Sequence, residues 1–368
     1  MVCYGKTFHI VMSNMKITFV LSSLTLSGGV NVVIEYANRL SVDGYDVTLV
    51  VPGGMIDAAQ RSKLHSAVSV RESRRKLSPK HSLVALALLS FSIAQTIPRS
   101  DVVIATHTPT VVPVALASLI FKKGKRTWLF QDYTEMFINR PMERMLLKMA
   151  PKWFARIAVV SKACKDTLLL EANSKSIFVG EGLSHSELLF DSGEKETKNN
   201  TIDIMYVGDM RPRKGLRDFL DATEIVYQEF SNIKLIIVSK ELCDIQTNVP
   251  HEFFLYPSYE ELAKLYRQSY IFVSTSWAEG LGLPPLEAMA SGTPVVLTNS
   301  QGALDYALPE ENCIMVSPHV PKEVAAAIKR LLLDEKLWMK LRENGRKTAQ
   351  RYDWDEAVAR FKKFLYQV

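Results

Sequence analysis

Segments with strand character and segments with helix character alternate along this chain. An apolar run at 16–22 is followed by a helical pattern at 31–40, and a second apolar run follows at 45–51. The same rhythm restarts after the middle of the chain, with a strand pattern at 202–207 and a helical pattern at 216–230. Such alternation predicts parallel sheets with helices on both faces, which is a doubly wound α/β fold.

A polar stretch, DSGEKETKNN at 191–200, separates the two series of strands and helices. It contains no apolar side chain, which is the composition of a linker. We therefore expect two Rossmann-like domains, at 1–190 and 201–350, that face each other across a cleft with ligands beyond the carboxyl ends of the strands. A last helix at 351–368 begins at the capping residue Asp353 and could pack back on the N-terminal domain.

Composition excludes several other classes of protein. Of the 368 residues, 47% are hydrophobic and 23% charged, as in soluble globular proteins, and no apolar run reaches the ~18–20 residues of a membrane-spanning helix. We expect no signal peptide, because residues 1–14 lack an apolar core followed by small residues; they could be an extension before a domain that starts near Met15. The 4 cysteines are scattered, which predicts no Cys-x-x-Cys pair and suits a reducing cytoplasm.

Positive charge is concentrated in one window. The net charge is +6, and residues 61–80 hold seven Lys or Arg and one acid, so this window carries the whole excess. It could meet a phosphate-rich partner, such as anionic lipid, a lipid diphosphate or nucleic acid. The alternative is a solvated loop.

A second basic feature recurs every four residues between 140 and 156. The positions, if helical, form one basic stripe beside several methionines: Arg140, Arg144, Lys148, Lys152 and Arg156. Pro151 limits the helix, so the stripe comprises three to four of these residues. Such a face can lie on anionic lipid. Together with 61–80 it predicts peripheral contact with the cytoplasmic face of the membrane, although a solvated face is the alternative.

The segment SSLTLSGGVNVV ends the first predicted strand and opens the first helix. Gly28 and Gly29 allow close approach of a ligand to the backbone, and the helix N-terminus favours an anion such as phosphate. The spacing is not that of a dinucleotide fingerprint, and glycines that simply make a turn are the alternative.

The segment YVGDMRPRKGL ends the first strand of the second predicted domain. It places Arg211, Arg213 and Lys214 in a strand-to-helix loop, where ligands of this fold class bind. Guanidinium and ammonium groups suit the oxygens of a diphosphate. The alternative is an exposed loop that happens to be basic.

The most informative segment is WAEGLGLPPLEAMASGTPVV, in which Glu279 and Glu287 flank a glycine loop and a double proline. Pro284 and Pro285 suit the first turn of a helix, in which we place Glu287. There a carboxylate could accept two sugar hydroxyls, or could only compensate the helix dipole; Glu279 could contact a different ring or be a turn residue. The loop between them can face an anion with the backbone N–H groups of Gly280, Leu281 and Gly282.

These segments together resemble the Glu-x7-Glu signature of retaining, family 4 type glycosyltransferases of GT-B fold, and the resemblance extends over essentially the whole chain. It implies an acceptor-binding N-terminal domain and a nucleotide-sugar-binding C-terminal domain. It also implies that Glu287 holds the ribose hydroxyls of the donor, that Glu279 contacts the donor sugar, and that the loop amides touch the phosphate or the sugar.

The resemblance further implies that an Arg and a Lys hold the diphosphate and stabilise its charge as it leaves; by their spacing these are Arg213 and Lys214. Many members carry another Arg where this chain has Asp209. Either Arg211 or Arg213 must then supply the guanidinium, and the sequence leaves that choice open.

Members often place a His beside the reacting centre, where this chain has WLFQDYTEMF. The Gln131-Asp132 pair is similar to a subgroup that includes rhamnosyltransferases of bacterial surface polysaccharides. Asp132 could orient the acceptor hydroxyl or act as a base, or could only cap the next turn. His107, at another strand end, is a second candidate on the acceptor side and could equally be an ordinary loop residue.

The function implied by the resemblance is transfer of a sugar from a nucleotide-diphosphate sugar to a glycan or polyprenyl-linked acceptor in surface polysaccharide biosynthesis. We expect no cofactor and no metal, because Arg213, Lys214 and helix N-termini can neutralise the leaving diphosphate, and the Asp-x-Asp at Asp353 and Asp355 fits a helix cap. A sugar-nucleotide epimerase or a phosphorylase of the same fold is the alternative. A nucleic-acid-binding protein is not expected, because no aromatics are interleaved with the basic run.

Overall fold

The chain forms two units, each built on one parallel sheet, in a computed structural model that describes residues 15–76, 82–137, 140–168, 175–190 and 201–368. The first unit comprises Met1–Val159, Leu168–Val179 and Val358–Val368, and the second comprises Val160–Thr167 and Gly180–Ala357. The predicted α/β class is confirmed. The linker predicted at 191–200 lies outside the described residues, and the predicted domain boundaries stay a prediction.

The sheet of the first unit has the strand order β3-β2-β1-β4-β5-β6-β7, and its described pairings are parallel. Its strands are β1 (Lys16–Val20), β2 (Asp46–Gly53), β3 (Ser69–Lys76), β4 (Val102–Ala105), β5 (Lys125–Phe130), β6 (Ile157–Val159) and β7 (Ser176–Phe178). The helices between them are α1 (Gly28–Val42), α2 (Ala58–Ser62), α3 (Leu83–Thr96), α4 (Val111–Leu119) and α5 (Pro141–Met149), with short 3-10 turns at Thr108–Thr110, Thr134–Phe137 and Ala150–Trp153.

The second unit repeats the plan with the order β10-β9-β8-β11-β12-β13. Its strands are β8 (Ile202–Gly208), β9 (Ile233–Ser239), β10 (His251–Leu255), β11 (Ile271–Ser274), β12 (Val295–Thr298) and β13 (Ile314–Val316). Its helices are α6 (Lys162–Thr167), α7 (Ser186–Leu189), α8 (Leu216–Tyr227), α9 (Tyr259–Gln268), α10 (Leu283–Ala290), α11 (Pro321–Leu333) and α12 (Glu335–Ala349), with 3-10 turns at Pro212–Lys214 and Gln301–Asp305.

Both faces of the second sheet are covered. Ile204 and Tyr206 on β8 point into one apolar cluster together with Phe219 of α8, whereas Met205 points into the other cluster with Leu286 of α10. This period of two, with both faces apolar, is why the strands read as continuous apolar runs in the sequence.

The last helix, α13 (Trp354–Leu365), begins after Asp353, whose carboxylate accepts the backbone N–H groups of Asp355 and Glu356. Its later part belongs to the first unit. There the Phe361 ring lies 6.1 Å from the Phe19 ring and 4.5 Å from the Tyr36 ring, between centroids. The helix therefore completes the core beneath β1 and α1.

The basic window at 61–80, read as a phosphate-binding segment or a solvated loop, contains a strand. Strand β3 pairs with β2 at the edge of the first sheet and exposes Arg71, Arg74, Arg75 and Lys76. Residues 77–80 of the window lie outside the described residues. A run of charges lacks the apolar alternation of a half-buried strand, so this strand could not be predicted from the local pattern.

Each sheet has a switch point, which is the pair of neighbouring strands at which the strand order reverses. It lies between β1 and β4 in the first unit and between β8 and β11 in the second. Ligands of open α/β sheets bind beyond the carboxyl ends of the strands at such points. Among the described residues, no helix is long and apolar enough to cross a membrane.

Candidate functional site

A small cavity lies at the switch point of the second sheet. It is lined from the loop after β8 by Lys214, from the loop after β11 by Glu279 and Gly282, from the start of α10 by Pro284, and from beyond β12 by Tyr306. The predicted basic loop and the glycine loop therefore meet in one place, as residues at neighbouring carboxyl ends of parallel strands should.

Two cations hold the Glu279 carboxylate. The Lys214 Nζ lies 2.6 Å from Glu279 Oε1, and an Arg213 NH group lies 3.3 Å from Oε2 and donates to the Ala278 carbonyl at 2.9 Å. The three side chains are largely buried. Burial opposes ionisation of Glu279, but Lys214 and Arg213 more than offset it, so the pKa of this carboxyl lies below its usual range.

Backbone contacts fasten the basic loop to the loop after β11. The Trp277 N–H donates to the Arg213 carbonyl at 2.7 Å, and the Thr275 hydroxyl donates to the Gly215 carbonyl at 2.7 Å. Gly215 has φ +68°, and a Cβ there would lie 2.1 Å from the Thr275 carbonyl oxygen. Only glycine fits, and the close approach fixes Arg213 and Lys214 over Glu279.

Arg211 points at a different partner. Its Nε lies 2.8 Å from Asp209 Oδ1 and its terminal nitrogen 2.5 Å from Oδ2, and Lys240 lies 3.6 Å from the same carboxylate. Burial opposes ionisation of Asp209, but Arg211 outweighs it and holds the pKa of this carboxyl at about 2. Asp209, at the position where the resembling family carries Arg, therefore engages Arg211 in a bidentate pair.

Glu287 does not lie where the sequence analysis placed it. Helix α10 begins at Leu283 and has no acid in its first turn, so the prediction that Glu287 lies in the first turn is wrong. Gly282, with φ +85°, precedes the helix and starts it before the double proline. The boundary shift moves Glu287 to the next turn and weakens its alternative interpretation as a dipole-compensating acid.

The Glu287 carboxylate accepts a hydrogen bond from the Tyr266 hydroxyl at 2.7 Å. Burial raises the pKa of this carboxyl, and the Tyr266 hydrogen bond only partly opposes the rise. Glu279 lines the cavity at the switch point, whereas Glu287 lines a neighbouring one together with His185 and Tyr259. The two acids of the motif thus face two compartments of the second unit.

Residues that the sequence analysis missed hold the glycine loop. The Ser161 hydroxyl donates to the Gly280 carbonyl at 2.7 Å, and the Tyr306 hydroxyl donates to the Gly282 carbonyl at 3.0 Å. The Gly302 N–H donates to the Glu279 carbonyl at 3.1 Å, and a Cβ on Gly302 would lie 2.6 Å from that oxygen. Ser161 lies two residues after the end of β6, and this position near a strand end is the one signal that could have identified it.

Asp305 anchors the segment that carries Ser161. Its carboxylate accepts the backbone N–H groups of Lys162 at 2.6 Å and Ala163 at 3.2 Å, at the start of α6. Within the second unit, therefore, the 3-10 turn at Gln301–Asp305 supports both α6 and the glycine loop.

In the first unit the predicted acceptor-side residues meet the glycine turn. The Gln131 amide donates to the carbonyls of Gly29 at 3.2 Å and Thr106 at 3.1 Å. A Cβ on Gly29 would lie 2.8 Å from His107 Nε2, whereas one on Gly28 would meet nothing within 4 Å. Gly29, His107 and Gln131 thus share the switch point of the first sheet.

Asp132 is fully buried. Its Oδ2 accepts the N–H of Thr108 at 2.5 Å and the Thr108 hydroxyl at 2.7 Å, while Oδ1 has no hydrogen-bond partner within the described part of the chain. The carboxylate holds the turn that follows β4, not the turn after itself. His107, next to Thr108, is partly exposed.

Comparison with known proteins identifies relatives of both the sequence and the fold. Residues 189–348 match the model of the family described as "Glycosyl transferases group 1". The chain is 27% identical over 221 residues to an uncharacterized glycosyltransferase of Methanocaldococcus jannaschii, over 58% of this chain and 60% of that one. It is 27% identical over 214 residues to the O-antigen chain mannosyltransferase RfbU of Salmonella typhimurium, over 54% and 57%.

The matched part of this chain thus spans 60% of the length of the archaeal relative, and only 16% of a probable sucrose-phosphate synthase of Beta vulgaris to which it is 29% identical. Among solved structures, Anabaena HepE in complex with UDP-glucose aligns with a TM-score of 0.79 at 19% identity, covering 96% of this chain and all of the other. Sucrose-phosphate synthase of Thermosynechococcus elongatus aligns with a TM-score of 0.78 at 16% identity, covering 96% and 98%.

These matches confirm the resemblance on two levels, since the family model covers most of the second unit and the structural likeness covers nearly the whole chain. Residues 189–348 match the group 1 glycosyl transferases in sequence, and the chain has the GT-B fold of two Rossmann-like domains that the family 4 type resemblance implied.

Proposed function

We propose that the protein is a retaining glycosyltransferase that moves a sugar from a nucleotide-diphosphate sugar to a glycan or lipid-linked acceptor in surface polysaccharide biosynthesis. The observation that carries the proposal is the pairing of Lys214 and Arg213 with Glu279 at the switch point of the second sheet. The Anabaena structure with UDP-glucose and the O-antigen role of the Salmonella relative support the donor class and the pathway class.

The chemistry follows from charge. Breaking the bond between the sugar carbon and the diphosphate leaves negative charge on the diphosphate oxygens, and positive charges fixed beforehand in a largely buried site stabilise it without reorganisation. In the second unit Lys214 and Arg213 are the fixed cations, and Glu279 balances them. We propose that an arriving diphosphate shares these cations while Glu279 contacts the donor sugar.

We assign the diphosphate to Arg213 and not to Arg211. Arg213 donates to Glu279, which lines the cavity, whereas Arg211 forms a bidentate pair with Asp209. We assign the ribose hydroxyls to Glu287, whose half-buried carboxylate has a second oxygen beyond the Tyr266 contact. The amides of the glycine loop at 280–282 would then lie between the two ends of the donor.

On the acceptor side we propose that the hydroxyl approaches His107 and Gln131, where the glycine turn brings backbone close to both side chains. Asp132 sets the Thr108 turn beside them. A role of Asp132 as base requires the Oδ1 atom to become accessible, and a Thr108 variant that loosens this turn tests that requirement.

We further propose that no metal ion takes part, because Lys214 and Arg213 already place positive charge at the leaving group. Transfer that persists in EDTA supports this, and loss of transfer that Mg²⁺ or Mn²⁺ restores overturns it. No organic cofactor is proposed, since the nucleotide sugar is a substrate.

The proposed location is the cytoplasm at the inner face of the membrane, with a polyprenyl-linked acceptor. Within the predicted stripe at 140–156, helix α5 exposes Arg144 and Lys148 beside Met145 and Met149. Basic and flexible apolar side chains on one helix face suit anionic lipid headgroups.

The deciding experiment starts with a thermal-shift panel of UDP, GDP, ADP and dTDP, because a ligand that binds the folded state raises apparent stability. Radiolabelled transfer from the matching sugar nucleotide follows. We expect Glu287→Ala and Arg213→Ala to lower kcat/KM by about 100-fold or more, and Arg211→Ala to reduce it much less. The proposal would be overturned if Glu287→Ala and Arg213→Ala both kept full activity, or if an epimer of the donor sugar formed without acceptor.

A further inference from the structure

Helix α3 has an unusual outer surface. Its sequence, LVALALLSFSIAQT, contains no charged residue. Leu89, Ile93 and Ala94 are buried against the sheet, yet Leu83, Val84, Leu88 and Phe91 expose between 41% and 69% of their surfaces. Val84, Leu88 and Phe91 lie on one face at helical spacing. The solvent-side face of a surface helix normally carries charged and polar residues, so this apolar stripe requires a partner.

The apolar stripe continues onto the end of α4. The rings of Phe91 and Phe121 meet edge to face with centroids 5.5 Å apart, and Leu119 and Ile120 expose 53% and 62% of their surfaces. Lys123 fastens the two helices together, because its ammonium donates to the carbonyls of Ala94 at 3.0 Å and Gln95 at 2.6 Å, at the end of α3. The apolar surface is therefore one fixed patch across two helices.

Basic side chains border this patch. Strand β3 lies beside α3, and the Arg75 N–H donates to the Ser92 hydroxyl at 3.4 Å. Side chains alternate along this edge strand, so the exposed Arg71 and Arg75 stand on either side of the buried Ser73 and form the β3 rim of the patch. Burial, and after it the charge of Arg71, lower the pKa of Lys123. The acid in this strand, Glu72, accepts the Gly54 N–H at 2.9 Å.

We propose that the α3–α4 patch with its β3 rim docks the protein onto an anionic lipid bilayer, with the apolar stripe in the headgroup region and the arginines on acidic headgroups. Apolar area and basic charge on one rigid surface are the two terms that bind a protein to such an interface. This surface differs from the basic stripe of α5, and the proposal goes beyond the transfer reaction because it concerns binding that needs neither donor nor acceptor.

The charge pattern favours a lipid surface over two other occupants of the patch, a second copy of the chain and a single-stranded nucleic acid. A two-fold dimer would cover this surface with the same surface of a second copy, and Glu72, the acid of the β3 rim, already accepts the Gly54 N–H, so the arginines would meet another basic surface. A single-stranded nucleic acid would pair with the arginines, but base stacking needs a series of aromatic faces, and Val84 and Leu88 offer none. A bilayer satisfies both the apolar and the basic part of the surface.

The test is co-sedimentation with vesicles of phosphatidylglycerol and phosphatidylcholine against vesicles of phosphatidylcholine alone, at low and high salt. We expect binding to the anionic vesicles that weakens as salt screens the rim. We expect Leu88→Gln with Phe91→Gln to reduce this binding at least tenfold, and Arg71→Glu with Arg75→Glu to abolish its preference for anionic lipid. Leu333→Gln, at a position 75% exposed on the second unit, is the matched control and should bind like the unaltered chain.

A direct readout of insertion is the Phe91→Trp variant, whose emission should shift to shorter wavelength with anionic vesicles. Melting temperatures and the nucleotide thermal shift of each variant check that fold and donor binding are intact, so a failure of docking is distinguishable from a failure of the proposed reaction. The proposal is overturned if the chain does not bind anionic vesicles or if the double variants bind them as the unaltered chain does. It is also overturned if Leu88→Gln with Phe91→Gln dissociates a dimer formed through the patch, or if an oligonucleotide competes with vesicles for the same side chains.

Discussion

The ammonium of Lys214 lies 2.6 Å from the carboxylate of Glu279, which also accepts a hydrogen bond from Arg213 at 3.3 Å. One carboxylate thus balances two cations in a largely buried place. The pairing matters for stability, because an unpaired charge in such surroundings is costly.

Glu279→Gln should therefore separate nucleotide binding from catalysis. With the carboxylate gone, Lys214 and Arg213 lose their internal partner, so the melting temperature without ligand should fall while the stabilisation by the matching nucleoside diphosphate should grow. We expect kcat to fall about 10²- to 10³-fold, because the contact with the donor sugar is lost.

Thermal shift and steady-state kinetics measure both quantities. Glu310→Gln, which breaks the exposed pair with Arg330, is the control and should change neither. A Glu279→Gln variant that binds the nucleotide less tightly than the unaltered chain contradicts the idea that this carboxylate competes with the diphosphate.

Ser161→Ala tests how far the glycine loop depends on its support. The Ser161 hydroxyl donates to the Gly280 carbonyl at 2.7 Å and accepts the Cys164 N–H at 2.9 Å. Without it the loop loses a fixed contact, and we expect KM for the donor to rise about tenfold or more with a smaller change in kcat. Ser161→Thr, which keeps the hydroxyl, should restore most of the loss.

Thr167→Ala, in the helix α6 that begins after Ser161, removes a hydroxyl that bonds only to the Ala163 carbonyl in the described structure, and it serves as the control. If Ser161→Ala and Thr167→Ala changed KM equally, Ser161 would only stabilise α6 and would not support the glycine loop. A change in melting temperature alone, with KM unaltered, leads to the same conclusion.

The neighbouring glycines of the first unit form a matched pair of variants. A Cβ on Gly29 would lie 2.8 Å from His107 Nε2 and 3.1 Å from Gln131 Oε1, whereas a Cβ on Gly28 would meet nothing within 4 Å. Gly29→Ala should displace both side chains and lower transfer about 10²-fold, while Gly28→Ala should stay close to the unaltered rate.

The nucleotide thermal shift distinguishes two interpretations of this pair. If it is unchanged in Gly29→Ala, the turn serves the acceptor side through His107 and Gln131. If it is lost together with transfer, the turn binds the phosphate of the donor, which is the role that the helix N-terminus predicted for Gly28 and Gly29.

A buried glutamate predicts how stability depends on pH. Burial, with a further contribution from the negative charge of Asp305, raises the pKa of Glu181 from 4.5 to about 8. A carboxyl with a raised pKa in the folded state binds its proton more tightly there than in the unfolded chain. Its contribution to stability is fully present below pH 4.5 and is lost as the pH rises to about 8.

Glu181→Gln replaces the carboxyl by a neutral group of the same shape. We expect the free energy of unfolding of this variant to exceed that of the unaltered chain at pH 8 and to be about equal to it near pH 4.5. Denaturant titration at both pH values measures this difference. Glu343→Gln, at an exposed position on α12, is the control and should give no such pH-dependent difference. A gain that is the same at both pH values contradicts the assignment.

The parts of the site that the sequence predicted are those whose residue types are unusual for their place. Arg213, Lys214 and Glu279 stand in short loops directly after predicted strands, where charge has no packing role, so local sequence sufficed to single them out. Parallel-sheet topology then brings the loops together without any further information.

The parts that escaped prediction depend on distant contacts or on ordinary residue types. Ser161 reaches Gly280 across 119 positions of the chain, and a serine after a strand is common. Strand β3 escaped because its pairing with β2 at the sheet edge does not require apolar side chains. The start of α10 was placed too late because the double proline suggested the first turn, whereas Gly282 allows the helix to begin at Leu283.

The return of α13 to the first unit has a consequence for the order of folding. Phe361 fills space beside Phe19 and Tyr36, so the core under β1 is complete only with side chains that follow the entire second unit in the sequence. During synthesis β1 leaves the ribosome before any strand of the second sheet, yet its final packing waits until Phe361 has been translated. Until then Phe19 and Tyr36 lack the ring that covers them, and apolar surface exposed in this way during folding favours aggregation.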